Sequence, residues 1–149
     1  MYPLQTFNRE RVVDFAQVPI FVEGKTAAEL EELTRVARSI SKSVEPLTSK
    51  KRMLLHVAAV FACNFANHLL ATSAQLLHES RLNFEVLKPL IRETFEKAQA
   101  ADSPAEVQTG PAVRGDVSTV QKHLGALARH PQQQQLYRLL SESIMMTKL

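Results

Sequence analysis

The feature that most constrains this chain is one long helical segment, which we predict to run from about Lys50 to Glu79. At about 100° per residue, its apolar side chains point in nearly every direction around the axis. They include Leu55, Val57, Val60, Phe61, Phe65, Leu69 and Leu70. A helix that is apolar on all sides must be enclosed, so we expect it to be buried. Because a chain of 149 residues has few other helices to enclose it, a second subunit is a natural source of the missing cover.

The same segment is not expected to cross a membrane. Its longest apolar run covers residues 57–71, which is shorter than the ~20 residues that a span needs. Asn64, Asn67 and His68 interrupt this run. The N-terminus has no basic region followed by an apolar run, so no signal peptide is predicted. Cys63 is the single cysteine, which excludes an intramolecular disulfide and favours a reducing, cytoplasmic location.

Charge and motifs exclude several classes of function. The 18 basic and 15 acidic residues give a net charge of +3 and alternate along the chain, so nucleic acid is not an expected partner. No histidine pair stands four residues apart and no cysteines cluster, so a metal site is not expected. A glycine-rich dinucleotide loop, a Walker loop and a nucleophile elbow are absent from the sequence.

The first fifty residues predict a strand, a helix and a second strand. Residues 18–22 form an apolar run that ends at Gly24, and residues 43–47 form another short extended piece. Thr26 and Glu29 form a capping box for the helix between them. Parallel strands joined by a helix are stable only inside a wider, covered sheet. This segment is therefore predicted to be the edge of a larger sheet.

The region after the long helix is predicted to be helical, with a loop at residues 108–116 that contains two glycines and a proline. Pro89 should kink the first of these helices or mark an early turn. The helices are expected at residues 84–100 with Asn83 as N-cap, from Asp116 or Ser118 to about Arg129, and from Pro131 to about Met146.

Polar side chains within the apolar long helix are candidates for a site. On an ideal helical wheel His56, Cys63 and Asn67 fall within about 20° of one direction, and Asn64 and His68 point further round. A buried imidazole or amide without a hydrogen-bond partner costs about 1–3 kcal/mol. These groups are either satisfied within the core or line a cavity where a ligand satisfies them.

The loop at residues 108–116 is a second candidate. Thr109, Gly110 and Arg114 combine a hydroxyl, backbone N–H groups and a cation, which together can hold a carboxylate or phosphate. The alternative is a turn in which Asp116 pairs with Arg114 and caps the next helix.

Three stretches together resemble a known family: Tyr-Pro-Leu-Gln-Thr-Phe at residues 2–7, residues 56–69, and residues 108–116. His123-Leu124 and residues 137–142 continue the resemblance. This is an uncharacterised bacterial family that joins a Rossmann-like NADP-binding domain to a C-terminal helical domain of unknown function. Its architecture is similar to pyrroline-5-carboxylate reductase and the 6-phosphogluconate dehydrogenase group, whose helical domains dimerise and close the active site over the nicotinamide.

The resemblance implies a mainly α fold, with a helical domain like the 6-phosphogluconate dehydrogenase C-terminal domain preceded by a short βαβ remnant of a Rossmann sheet. Residues 1–48 would be the C-terminal edge of the Rossmann-like domain, and residues 49–149 the helical dimerisation and substrate domain. NADP is expected in the complete protein. Because this sequence has no glycine-rich phosphate loop, the chain alone is not expected to bind it.

Related dehydrogenases place a lysine or histidine and an asparagine on the first long helix of this domain. The resemblance therefore implies His56 as general acid or base and Asn67 as an orienting residue, with Asn64 as an alternate. Thr109, Gly110 and Arg114 would hold the anionic end of a small substrate.

The resemblance implies that this chain is the substrate-side part of an NADP-dependent oxidoreductase that acts on a small carbonyl, imine or hydroxy acid. The chain alone is expected to be inactive. It would be a homodimer through residues 50–79. The alternative is a non-catalytic helical module for dimerisation or interaction, in which the long helix is only an interface.

Overall fold

A computed structural model describes residues 1–147 of the chain. The chain divides into two units, residues 1–68 and residues 69–149. The first unit contains strands β1 (Tyr2–Pro3), β2 (Ile20–Val22) and β3 (Val44–Pro46), helix α1 (Ala27–Arg38) and helix α2 (Ser49–Ala59). Helix α2 continues through a π-helical segment (Val60–Phe65) into helix α3 (Ala66–Glu79), which extends into the second unit.

The three strands form one sheet in the order β1-β2-β3. β1 runs antiparallel to β2, with Tyr2 opposite Phe21, and β3 runs parallel to β2, with Ile20 opposite Val44. The βαβ arrangement predicted from the sequence is confirmed. β2 begins two residues later than predicted because the N–H of Val18 bonds to the carbonyl of Phe15 in a 3-10 turn.

The core of the first unit lies between the sheet and α1. Ile20, Val22 and Ala37 are buried there. Leu30, Leu33 and Val44 pack around these three residues. Full burial of a valine or isoleucine side chain contributes roughly 1.5–3 kcal/mol, so this small cluster fixes α1 on the sheet.

Two local features set the start of α1. The Glu29 N–H donates to Thr26 Oγ1 at 3.2 Å, as the predicted capping box requires. The Glu29 carboxylate accepts from the N–H of Lys25 at 2.8 Å, one residue before the position that the motif usually uses. Gly24 is needed just before this point, because an added Cβ would lie 2.5 Å from the backbone nitrogen of Leu30.

The long helix starts at Ser49, one residue before the predicted start, and ends at Glu79 as predicted. None of its residues is buried by the described part of this chain, and burial by a second subunit stays a prediction. Leu54 is 65% exposed and Phe61 is 67% exposed. The described residues of the chain do not supply the cover that an all-round apolar helix needs.

This helix is also long and apolar enough, by length and composition, to cross a membrane. A single helix of this kind is weak evidence, because the core helix of a water-soluble protein passes the same test. The prediction against a span rested on the apolar run at residues 57–71 and its polar interruptions, whereas the whole helix is 31 residues long.

The second unit is helical. A 3-10 turn (Phe84–Leu87) precedes α4 (Lys88–Ala100), another 3-10 turn (Pro104–Val107) follows, and then come α5 (Val117–Ala126) and α6 (Pro131–Met146). Asn83 caps the first 3-10 turn, and the α-helix begins only at Lys88 because Pro89 suits a first helical turn. α5 ends at Ala126, before the predicted Arg129, because residues 127–129 form a tighter turn in which the N–H of Ala128 bonds to the carbonyl of Gly125.

Val120 and Leu124 of α5, together with Ala112, form the buried apolar part of the second unit. The side chain of Gln134 on α6 donates to the carbonyl of Leu124 at 2.7 Å and holds α6 against α5. With its helices and one short sheet, the chain has the mainly α fold that the sequence predicted.

Candidate functional site

A cleft of about 470 Å³ lies in the first unit, between the N-terminal segment and the long helix. Its size falls within the range of small-molecule sites. The lining is mostly apolar, with several uncharged polar groups. The lining residues are Tyr2, Leu4, Gln5, Thr6, Leu55, His56, Ala58, Ala59, Val60, Ala62, Cys63 and Asn64.

A hydrogen bond between Tyr2 and His56 lies at this cleft. Tyr2 Oη and His56 Nδ1 are 3.0 Å apart, and the two rings meet edge to face with centroids 6.3 Å apart. If the tyrosine hydroxyl donates to Nδ1, the single N–H of the neutral ring is on Nε2, which can donate it. If Nδ1–H donates to the hydroxyl, Nε2 is an acceptor. The pair can therefore present either an acid or a base at Nε2.

The π-helical segment determines which other residues of the helix join His56 at the cleft. Hydrogen bonds of the i→i+5 type insert one residue into the turn, so the following residues are rotated by about 100° relative to a regular α-helix. Asn64 lines the cleft with His56, and Asn67 is not among its lining residues. The predicted common face of His56 and Asn67 assumed a regular helix, and the π segment breaks that regularity. Such segments frequently occur at functional sites.

The loop at residues 108–116 forms a turn in the second unit. Gly110 and Gly115 adopt positive φ angles of 113° and 66°, a conformation that costs glycine less than other residues. The N–H groups of Gly115 and Asp116 bond to carbonyls within the turn. The side chains of Thr109 and Arg114 are exposed.

Asp116 closes this turn and caps α5, as the alternative for this loop predicted. Its carboxylate accepts from the N–H of Thr119 at 3.0 Å and from the Thr119 hydroxyl at 2.7 Å. These bonds, and to a lesser extent the charges of Arg114 and Lys122, hold the pKa of Asp116 below its ordinary value. No ion pair within 4.0 Å joins Asp116 to Arg114 in the described part of the chain, so Arg114 acts on it only at longer range.

Glu23 forms a polar cluster that the sequence did not indicate. This residue follows β2, and its carboxylate accepts from the backbone N–H of Ser49 at 2.8 Å and from Arg52 Nη1 at 3.0 Å. Arg52 Nη2 also donates to Ser49 Oγ at 2.8 Å. The bonds from Ser49, followed by Arg52, lower the pKa of Glu23. Ser49, Arg52 and His56 share one face of α2, so Glu23 fixes the helix two turns before His56.

The described chain does not fit the phosphates of a dinucleotide. A dinucleotide loop leaves N–H groups free at the start of a helix that follows a strand. At the start of α1 the N–H of Glu29 bonds to Thr26 Oγ1, the N–H of Lys25 bonds to the Glu29 carboxylate, and the Gly24 backbone packs closely on the helix. At the start of α2 the donor is taken by the carboxylate of Glu23. A carboxylate therefore lies at each of these two turns, and its negative charge disfavours a phosphate there.

Two other features of the second unit are candidates with less support. A larger, more open hollow of about 1050 Å³ lies where α3 ends, and it includes His78, Glu79 and Arg81. Glu79 lies 3.3 Å from His130 Nε2. His123 Nδ1 and Tyr137 Oη, 2.7 Å apart, join α5 to α6. Both contacts link neighbouring helices, which accounts for them structurally.

Comparison with known families identifies the chain. The model of a domain of unknown function, DUF2520, matches residues 18–144. The chain belongs to the DUF2520 family. No curated protein shows a significant match to it.

Two solved structures resemble this DUF2520 chain. It is 44% identical to "putative NADP oxidoreductase BF3122 from Bacteroides fragilis", with a TM-score of 0.89 over 97% of this chain and 55% of that one. It is 21% identical to "protein TM1727 from Thermotoga maritima", with a TM-score of 0.75 over 96% of this chain and 58% of that one, which shows a shared fold. The chain spans little more than half the length of either protein.

Proposed function

We propose that this DUF2520 chain is the substrate-side and dimer-forming part of an NADP-dependent oxidoreductase that acts on a small carbonyl, imine or hydroxy-acid substrate. The observation that carries the proposal is the Tyr2–His56 hydrogen bond at an apolar cleft of about 470 Å³. The 44% identity to a protein named as an NADP oxidoreductase supports the reaction class. The dinucleotide would be held by residues other than 1–147, since both βα turns of this chain are occupied by their own carboxylates.

His56 is the proposed general acid or base. Imidazole side chains exchange a proton near neutral pH, which suits transfer to and from a substrate oxygen or nitrogen. The hydroxyl of Tyr2, 3.0 Å from Nδ1, orients the ring and exchanges donor and acceptor roles with it. The pair thus serves both directions of a reversible reaction. A positioned acid or base of this kind contributes roughly 10²–10⁴ in rate.

The other predicted site residues have different support. Asn64 lines the cleft beside His56, so we assign it the orienting role for the substrate. Asn67 lies outside the lining, and its predicted role remains a proposal. Thr109, Gly110 and Arg114 belong to the second unit and remain the proposed site for the anionic end of a substrate.

We further propose a homodimer through the long helix, in a cytoplasmic protein. The chain exposes 11735 Å² of surface. Even two separate folded bodies of the sizes of its units would expose only roughly 9,200 Å². An excess of roughly 2,500 Å² per chain lies within the range that obligate interfaces cover. Phe61, Leu54 and Met53, all more than 60% exposed, are the central candidates for that interface.

The alternative is a helical dimerisation module without catalytic activity. It is favoured by the exposed long helix and by the absence of a phosphate cradle in the two βα turns of the first unit. The two functions make the same prediction for the dimer and differ in nucleotide binding and turnover.

The test is NADPH oxidation by the complete protein encoded by the gene that contains this chain. A panel of 2-oxo acids, aldehydes, ketones and cyclic imines is offered together with NADPH, and nucleotide binding is measured separately by fluorescence. The oxidoreductase proposal predicts NADPH binding and turnover of at least one member of the panel. A complete protein that does not bind NADPH would contradict the proposal and favour the non-catalytic module.

A further inference from the structure

The lining of the cleft lacks formal charge. Of its twelve residues, His56 is the one whose side chain can carry a positive charge, and the others have apolar side chains, hydroxyls, amides or a thiol. Leu4, Leu55 and Val60 provide the apolar body. The hydrogen-bonding groups of Tyr2, His56 and Asn64 provide the polar part.

Two charged side chains near the cleft, Arg52 and Arg11, each have an opposite charge nearby. Arg52 lies one turn before His56 on the same face, but Glu23 accepts a hydrogen bond from it at 3.0 Å and offsets its charge. A hollow that shares Gln5 and Thr6 with the cleft contains both Arg11 and Asp14, whose formal charges cancel.

Burying a carboxylate against apolar side chains is strongly unfavourable unless a cation pairs with it. A carbonyl oxygen is satisfied by one or two hydrogen-bond donors, which the His56 imidazole, the Tyr2 hydroxyl and the Asn64 amide can supply. His56 and Asn64 are exposed, so a ligand loses hydration mainly where it contacts the apolar side chains, and an anionic group is disfavoured at those contacts.

Resting on the function proposed above, we infer that the cleft takes an uncharged ketone or aldehyde with an apolar body. The carbonyl lies at the Tyr2–His56 pair, and the apolar body lies against Leu4, Leu55 and Val60. This narrows the substrate class and excludes hydroxy acids and oxo acids whose carboxylate would have to enter the cleft.

The test compares two probes of similar size, cyclohexanone and cyclohexanecarboxylate, on the full 149-residue chain at about pH 8, where the carboxylate is ionised. Dissociation constants and binding positions are read from amide chemical shifts in NMR titrations. We expect cyclohexanone to bind at least ~10-fold more tightly than the carboxylate. Only the carboxylate gives up hydration of a charge without gaining a cation as a partner. The shift changes should centre on the cleft, for example on Ala59 and Cys63.

Two tryptophan variants locate the binding. Ala62→Trp places a large ring in the cleft and should weaken cyclohexanone binding at least ~10-fold by filling its volume. Ala28→Trp, at an exposed position of α1 outside the cleft, should leave the binding unchanged. The circular dichroism of both variants verifies that they fold.

Three outcomes overturn the inference: no cyclohexanone binding, binding that Ala62→Trp does not weaken, or carboxylate binding as tight as that of the ketone. If Arg114→Ala then weakens the carboxylate, the anion is held by the loop of the second unit. These outcomes are independent of NADPH turnover. If the complete protein turns over an oxo acid while cyclohexanone does not bind the cleft, the inferred substrate class is refuted. If cyclohexanone binds but the complete protein oxidises no NADPH, the proposed oxidoreductase function is refuted.

Discussion

Single residues show most clearly what the sequence could and could not predict. His56 is conspicuous because an imidazole lies within an apolar helix, so it could be singled out from the sequence. Its partner Tyr2 is 54 residues away, and no local pattern indicates a hydrogen bond over that separation. A regular helical wheel places Asn67 nearer to the direction of His56 than Asn64. The π segment changes this order, so that Asn64 lies beside His56 at the cleft.

Glu23 is a second residue that the sequence left unnoticed, and its role predicts a dependence of stability on pH. Folding lowers the pKa of Glu23 below its ordinary value of 4.5, mainly through the bonds from Ser49 and then through Arg52. A carboxylate with a lowered folded pKa stabilises the fold fully above its unfolded pKa, and the stabilisation is lost as the pH falls through the folded pKa. Glu23→Gln should therefore lower the melting temperature at pH 7, and the difference should shrink once the pH falls below 4.5.

Thermal unfolding across a pH series, followed by circular dichroism, measures this difference. Glu31→Gln is the matched control, because Glu31 is an exposed glutamate on α1 outside the cluster. The melting temperature of Glu31→Gln should equal that of the unmodified chain at every pH. An effect of Glu23→Gln that stays constant down to about pH 3 would show that the carboxylate charge is not responsible.

Helices and strands were largely predictable because their signals are local. The capping residues Thr26, Asn83 and Asp116 all make the cap hydrogen bonds that their side chains favour. The ends of elements differed where a turn or a proline competed with the regular structure, as at Val18 and Pro89. The π segment was not predictable, because its sequence is apolar and helical like that of its neighbours.

The long helix, residues 49–79, leads to a prediction about dimer formation. Phe61 is 67% exposed and meets Phe65 edge to face at 5.0 Å, so two aromatic rings stand together on an uncovered surface. Phe61→Glu places a charge where we propose that a second copy packs. An unpaired buried charge is strongly unfavourable at an interface, so this variant should shift the chain from dimer to monomer.

Size-exclusion chromatography with light scattering at micromolar concentration gives the mass directly. Val12→Glu is the control, since Val12 is 96% exposed and lies outside the helix, and this variant should remain a dimer. A monomeric unmodified chain, or a Phe61→Glu variant that dimerises as strongly, would refute the proposed interface.

For the molecule as a whole, the sequence predicted the fold class through the change from a short βαβ pattern to helical periodicity. The sequence did not predict how much apolar surface of the long helix is exposed, because burial depends on which segments or subunits pack against a helix. The same limit applies to the site: the cleft in the first unit depends on contacts between β1 and the long helix, and the role of the loop at residues 108–116 stays a prediction.

The central claim is that the Tyr2–His56 pair performs the acid–base step of an NADP-dependent reaction. Its most direct measurement is kcat/KM for NADPH-dependent turnover by the complete protein carrying His56→Ala, beside His78→Ala, an exposed histidine on the same helix outside the cleft. We expect His56→Ala to lower kcat/KM by roughly 10²–10⁴ and His78→Ala to leave it within about two-fold of the unmodified protein. An unchanged kcat/KM for His56→Ala would contradict the account.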